Sequence, residues 1–401
     1  MPRDRQPESE AAVEKGLLQR FLTSSASSSY VLVAAVAIAL LWANSRWAAG
    51  YEQLWSTSLT FNVGQTSIGT DLRFWLSDGL MTLFFVLVGI EIDREVRSGD
   101  LRRPRVAALP VIAAVGGMIV PAAIYLAVVH GVAARGWGVP MATDIALALA
   151  VLGLSTRHAP PDVRPLLLTL AIVDDIGSIA VVTVFYASGL EPVALVAAAT
   201  IVGALVIAAR ARVRSPIVPI VLGVALWYAF LRAGIEPAIA GVVVGVLTPS
   251  DAIGRAERAL LVVSGFVIVP LFALANAGVR LDASTLFVGA GATVALGIIV
   301  ARLVGKPLGV VGAARLGVAA GVSSLPPGGA WRSIFGLGVT TAIGFTVSLF
   351  IADLAFAGQP ALLDAAKIGI MASAVLAGVA SYVVLRVTGA AVTPPEASPG
   401  T

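Results

Sequence analysis

Long apolar stretches, separated by short polar or Gly/Pro-rich breaks, run through the chain from about residue 27 to 388. They mark about twelve helical spans: 27–44, 74–98, 106–128, 138–155, 164–187, 193–210, 216–231, 235–249, 258–279, 286–311, 333–356 and 362–388. A bilayer crossing needs about 20 predominantly apolar residues. Most of these stretches meet that length, whereas 216–231 and 235–249 are short for a full crossing. The run Tyr30 to Trp42 lacks a small-residue cleavage site and reads as a first span rather than a signal peptide. Residues 1–26 form a polar tail of mixed charge, and 389–401 a disordered one. Between the first two spans, Leu59-Thr-Phe-Asn-Val-Gly-Gln-Thr-Ser-Ile68 alternates around an interior glycine. That pattern suits a small hairpin over the outer surface, able to pair between subunits of a homodimer. An irregular loop fits it equally.

Composition turns this pattern into a class. The 401 residues are 58% hydrophobic and 12% charged, against about 25% charged in soluble domains. The chain is an all-α polytopic membrane protein with membrane lipid as its surroundings. With no cysteine and only His130 and His158, it has neither a disulfide framework nor the ligands of a zinc or haem site; no cofactor is expected. The net charge of +4 does not point to nucleic acid, because the 27 basic residues are scattered among short loops. With the N-terminus inside, nineteen fall on the inner side, six on the outer and two (Arg302 and Lys306) within a span. That asymmetry places both termini in the cytoplasm.

The candidate chemistry lies where polar residues interrupt the spans. Asp174 and Asp175 are adjacent in the middle of the fifth span, Leu166 to Phe185. One ionised carboxylate at mid-membrane costs roughly 2.5–3.5 kcal/mol on insertion scales, and two neighbours also repel. A chain that keeps such a pair uses it to bind and release cations or protons. In Val139-Pro-Met-Ala-Thr-Asp-Ile, Gly136, Gly138 and Pro140 weaken the helix just before Thr143 and Asp144. Backbone left unpaired at that depth is tolerated only inside protein or beside a water-filled cavity. A carboxylate there can neutralise exposed N–H ends, and free carbonyls with a hydroxyl suit a small hard cation; alternatively, Asp144 merely caps a broken turn.

Gly336 to Leu349, rich in Gly and Thr and including Thr341 and Gly344, forms a second interruption one helix before the last. Corresponding breaks in two halves point to a transporter site; close packing through small residues explains the segment as well. Lys306 pairs with Asp174 or Asp175, or else snorkels to the interface. Arg302, one turn earlier, has no assigned role. Asp78 opens the second span from outside, and Glu91 and Glu95 lie one turn apart at its inner end. Acids there either concentrate cations at a funnel mouth or are simply solvated.

Taken together, these segments resemble the NhaA family of sodium/proton antiporters. The resemblance rests on Asp78-Gly-Leu-Met with Phe84-Phe-Val-Leu-Val-Gly-Ile-Glu, Ala142-Thr-Asp-Ile-Ala, Ile172-Val-Asp-Asp-Ile-Gly, Pro270-Leu-Phe-Ala with Ala275-Asn-Ala-Gly, Gly305-Lys-Pro-Leu-Gly and Gly344-Phe-Thr-Val-Ser-Leu-Phe-Ile-Ala. It implies twelve helices with an inverted repeat and two broken helices crossing at the midplane, one at Thr143 and Asp144 and the other near Gly344, supported by Thr341. It implies Asp175 as main Na⁺ or Li⁺ ligand, with Asp174 beside it and Thr143 nearby. Lys306 would face the pair as charge partner or proton carrier. Asp78, Glu91, Glu95 and Glu257 match acids of the funnel and pH response. The resemblance also implies an electrogenic antiporter of the bacterial inner membrane. Three positions depart from the family pattern: Glu236 and Arg258 stand where histidine can occur, and Asp353 where a small polar residue is expected. They put the pH set point in question and leave the transport centre intact.

Two other classes fit less well. An intramembrane aspartyl protease needs facing aspartates, normally from different helices, whereas residues 174 and 175 diverge by about 100° on one helix. A cation channel favours an open polar pore rather than an occluded site.

Overall fold

The computed structural model describes residues 27–63, 66–68, 70–102, 104–155, 163–187, 190–213, 215–248, 250–280, 289–325 and 331–389. The N-terminal tail and nearly all of the C-terminal one lie outside these. The described chain is mainly helical, with one antiparallel strand pair, β1 (Phe61–Val63) with β2 (Thr66–Ile68). Phe61 faces Ile68, Asn62 faces Ser67 and Val63 faces Thr66, so this alternating segment pairs as a hairpin rather than an irregular loop.

The helices follow the apolar stretches. They are α1 (Ser27–Ala43), α2 (Ala48–Trp55), α3 (Leu72–Arg97), α4 (Pro104–Val128), α5 (Ile145–Ser155) and α6 (Val163–Phe185). After these come α7 (Pro192–Arg210), α8 (Ile217–Ala233), α9 (Ile239–Leu247) and α10, which runs through Ser250–Val263, Ser264–Ile268 and Val269–Asn276. The last four are α11 (Gly289–Ala319), α12 (Trp331–Thr340), α13 (Thr346–Ala355) and α14 (Pro360–Gly389). Among the described residues seven helices are long and apolar enough to cross a membrane, or eight if α1 and α2, bent by 117°, count as one span. The other expected spans appear as shorter helices: α5, α8 and α13 are apolar but have 10–17 residues, and α9 has 9. Large apolar side chains stay outward, including Leu41, Val193 and Leu316. Such a surface suits lipid rather than water.

Two features of the helices bear on the centre. First, α4 and α11 approach almost backbone to backbone. A Cβ on Gly116 would run into the Gly309 carbonyl, and one on Gly309 into that of Gly116. Small residues permit such contact, which buried apolar bulk would prevent. The α3–α9 crossing uses Gly89 and Gly245 in the same way. Second, α11 contains a wide π turn at Ala301–Gly305, directly ahead of Pro307. Proline has no N–H and clashes with the carbonyl four residues back, so a local widening relieves the ladder. Arg302 lies within that turn, and Lys306 immediately follows it.

Candidate ion-binding site

Two helix breaks meet at the centre of the molecule. In the first, a 3-10 segment (Gly131–Gly138) ends and the chain runs non-helically to Asp144 before α5 begins. In the second, α12 ends at Thr340 and α13 starts at Thr346. The breaks bond to each other: Asp144 N donates to the Ile343 carbonyl at 2.8 Å. A Cβ at Gly344 would collide with the Ala142 carbonyl and the Arg302 guanidinium. Glycine is therefore required there by close approach.

Asp144 serves both N-terminal ends. Its Oδ1 accepts from Leu147 N at 3.1 Å, capping α5. Its Oδ2 accepts from Thr346 Oγ1 at 3.0 Å and Thr346 N at 3.3 Å, at the start of α13. An N-terminal turn presents N–H groups without intrahelical acceptors and a positive dipole end. One carboxylate between two such ends answers both, and each of its oxygens is already engaged.

Arg302 does the converse for carbonyls. It is fully buried, and its guanidinium donates to the Gly344 carbonyl and Ser348 Oγ, to the Val139 carbonyl at 3.1 Å, and to Ser373 Oγ at 3.3 Å. One side chain thus ties break one (Val139), break two (Gly344), α13 (Ser348) and α14 (Ser373). Only a planar fork with five donors reaches so many acceptors from one position. The sequence signal was a charge inside an apolar run. Its partners were invisible, because they come from three distant segments.

The aspartate pair on α6 is divided. Asp174 is fully buried, and its Oδ2 lies 2.6 Å from Lys306 Nζ and 2.5 Å from Thr143 Oγ1. Lys306 also donates to the Met141 carbonyl in the first break. Thr143 Oγ1 lies 2.9 Å from the Thr341 carbonyl as well, and a hydroxyl has one proton to give, so two acceptors compete for it. The lysine therefore pairs with Asp174 and does not snorkel. Asp175 is buried too, and its Oδ1 has no hydrogen-bond partner; Asp174 Oδ1 has none either. Thr341 directs its own hydroxyl to the Gly338 carbonyl at 2.9 Å and offers its carbonyl to Thr143.

The remaining acids separate into two groups. Glu95 Oε1 accepts from Thr169 Oγ1 of α6 at 3.2 Å, five residues before Asp174. Glu91 lies one turn away on α3, and Glu257 pairs with Arg94 of the same helix. These three therefore share one end of α3. Asp78 is at the opposite end, about 26 Å from Glu95 along the axis, inside the π turn Trp75–Leu80. Its backbone carbonyl accepts from Trp227 Nε1 at 2.7 Å and Thr82 Oγ1 at 2.5 Å. Of the departing positions, Asp353 is paired with Lys367 at 3.6 Å, and Glu236 accepts from Ala238 N at 3.4 Å.

Comparison with known proteins gives the family and the fold. The model of a family described as Na⁺/H⁺ antiporter 1 matches residues 19–385. A Na(+)/H(+) antiporter NhaA from Janthinobacterium sp. is 40% identical over 414 residues, covering 90% of this chain and 91% of that one. A Na(+)/H(+) antiporter NhaA 2 from Novosphingobium aromaticivorans is 44% identical over 375 residues, covering 91% and 95%. Among solved structures, the sodium proton antiporter MjNhaP1 of Methanocaldococcus jannaschii aligns with a TM-score of 0.57 at 14% identity, over 95% of this chain and 99% of that one. At that identity the likeness speaks to the fold.

Proposed function

The chain belongs to the Na⁺/H⁺ antiporter 1 family, and on that premise we propose that it extrudes Na⁺ or Li⁺ in exchange for external protons by competition at Asp175 and Asp174. It is a multi-pass bacterial membrane protein and a secondary transporter. The proposal places it in the inner membrane with both termini cytoplasmic, where exchange would control internal pH and sodium.

The observation that carries the reading is the division of the carboxylates. Asp144 and Arg302 are engaged with the breaks, and Lys306 offsets Asp174. Among the described residues Asp144 has no ion pair, but both its oxygens accept hydrogen bonds. Asp175 is the carboxylate of this centre that has, among those residues, neither an ion pair nor a hydrogen bond on its Oδ1. A single monovalent cation or a single proton neutralises it, so the two exclude each other. Facing outward, where protons are abundant, Asp175 is protonated and the cation leaves. Facing inward, the proton leaves and a dehydrated cation binds Asp175 with Asp174 and Thr143. The acids Glu91, Glu95 and Glu257 would gather cations at the inner mouth and adjust the response to pH, and Asp78 would act at the outer one. Alternating access would come from one bundle rocking against the other across an inverted repeat.

Lys306 is the second proton carrier in this reading. A cation that takes Asp174 displaces the ammonium from its carboxylate partner, so a proton leaves as the ion enters; lysine is chemically suited to this. Two protons per cation move one net charge each cycle, and the membrane potential then contributes about 2.3 kcal/mol per charge per 100 mV.

In proteoliposomes with an imposed pH gradient, adding Na⁺ or Li⁺ is expected to dissipate the gradient, while choline does not. A gradient that survives both cations would end the proposal. Coupling is tested separately with Lys306→Gln: exchange becomes insensitive to an imposed membrane potential, because one proton now moves per cation. Potential dependence equal to that of the unaltered protein would remove Lys306 as carrier and transfer that role to Asp174.

A further inference from the structure

We propose that Ser178 is a ligand of the transported cation, completing a three-oxygen face on α6 with Asp174 and Asp175; this rests on the site reading above. On a helix of 3.6 residues per turn, residue 178 sits three places after Asp175 and four after Asp174. Its direction falls about 40° from that of Asp174 and about 60° from that of Asp175. The hydroxyl therefore lies between the two carboxylates as seen down the axis, one turn along.

The hydroxyl is also uncommitted. Ser178 is buried, and its Oγ has no hydrogen-bond partner. Helical hydroxyls elsewhere in the protein behave differently. Thr183, Thr200 and Thr340 each donate to the carbonyl four residues back, at 2.7–2.8 Å. That back-bond is the ordinary resting place of such a group, and Ser178 forgoes it. A buried hydroxyl left without a partner is costly, so its retention calls for a use. On this one face of α6, Asp174 Oδ1, Asp175 Oδ1 and Ser178 Oγ are all unpartnered. A hard cation stripped of water needs several oxygens, and a neutral hydroxyl adds coordination without adding charge. It leaves unchanged the charge balance through which protons and the cation exclude each other. Ser178 is thus placed to set how tightly a small cation is held, while Asp175 sets whether it is held at all.

The test uses Ser178→Ala and Ser178→Thr in the full-length protein. Alanine removes a single oxygen and is the better helix former, and threonine keeps the hydroxyl. In proteoliposomes, Ser178→Ala is expected to raise the Na⁺ and Li⁺ concentrations for half-maximal exchange about tenfold, with the maximal rate retained. Ser178→Thr should stay within about twofold of the unaltered protein. Radioactive Na⁺ binding to purified protein in detergent should show the same order, which separates affinity from turnover. Half-saturation unchanged in Ser178→Ala, or a fall confined to maximal rate, would overturn the assignment. Asp175→Asn is measured in parallel: if that variant exchanges normally, the underlying site reading has failed, whereas its loss together with an unaffected Ser178→Ala sinks only the present inference.

Discussion

Asp175→Asn is expected to eliminate Na⁺- and Li⁺-driven exchange while leaving the protein folded. The substitution keeps the shape and removes the charge. Asp175 is buried, its Oδ1 makes no hydrogen bond, and it enters no ion pair among the described residues. Nothing structural depends on its being ionised. With asparagine in place, the charges of Asp144 and Asp174 are matched by those of Arg302 and Lys306 without any bound ion. A cation entering that neutral centre would leave a net positive charge in a dry interior, or would have to expel the Lys306 proton with only Asp174 left to hold it. The cost of one such charge is roughly 2.5–3.5 kcal/mol on insertion scales, and every 1.4 kcal/mol is tenfold in affinity. Half-saturation should therefore rise at least about 60-fold, beyond the range of an ordinary transport assay. Melting temperature in detergent should be equal to or above that of the unaltered protein, because an unpaired buried charge has been removed. Normal exchange by this variant would show that the cation site lies elsewhere.

The second large effect is on stability. Arg302→Met should lower the melting temperature markedly and abolish exchange. Methionine fills much of the volume but leaves the Gly344 and Val139 carbonyls and the Ser348 and Ser373 hydroxyls without their donor. It also leaves Asp144 without the fixed positive charge that shares the crossing. Removing one member of a buried charge set costs about 3–5 kcal/mol. Arg302→Lys restores the charge but not the fork, and should recover only part of the loss. In the double variant Arg302→Met with Asp144→Asn the charge balance returns, so the two losses should fall short of adding. A melting temperature for Arg302→Met equal to that of the unaltered protein would show that the clamp is dispensable.

The two residues mark the limits of sequence reading from opposite sides. Asp175 was legible because an acid in mid-span is expensive wherever its neighbours are. The same argument exposed Asp174, Lys306 and Asp144; Gly and Pro pointed to the first break, whereas the Gly/Thr-rich second one read equally as close helix packing. Arg302 carried an equal signal yet had no assignable role, since its meaning lies in the Val139 and Gly344 carbonyls and in two serines on other helices. Ser178 carried no signal at all: a serine in an apolar helix is ordinary until its hydroxyl is found without a partner. Asp353 stood out only as a departure from the family, and its pairing with Lys367 of α14 makes it one half of an ion pair.

The class, the positions of the apolar segments and the short list of charged residues that must be used are readable from the sequence alone. Those follow from local quantities: hydropathy over one span and the cost of a charge in lipid. Which oxygen each charge meets depends instead on how distant segments pack. Lys306 went to Asp174, Arg302 to the break carbonyls, and Asp144 to two helix ends at once, leaving Asp175 uncompensated. Hydrogen bonds act over about 3 Å, and residues 144, 175, 302 and 344 come within reach of one centre only when four separate helical segments fold around it.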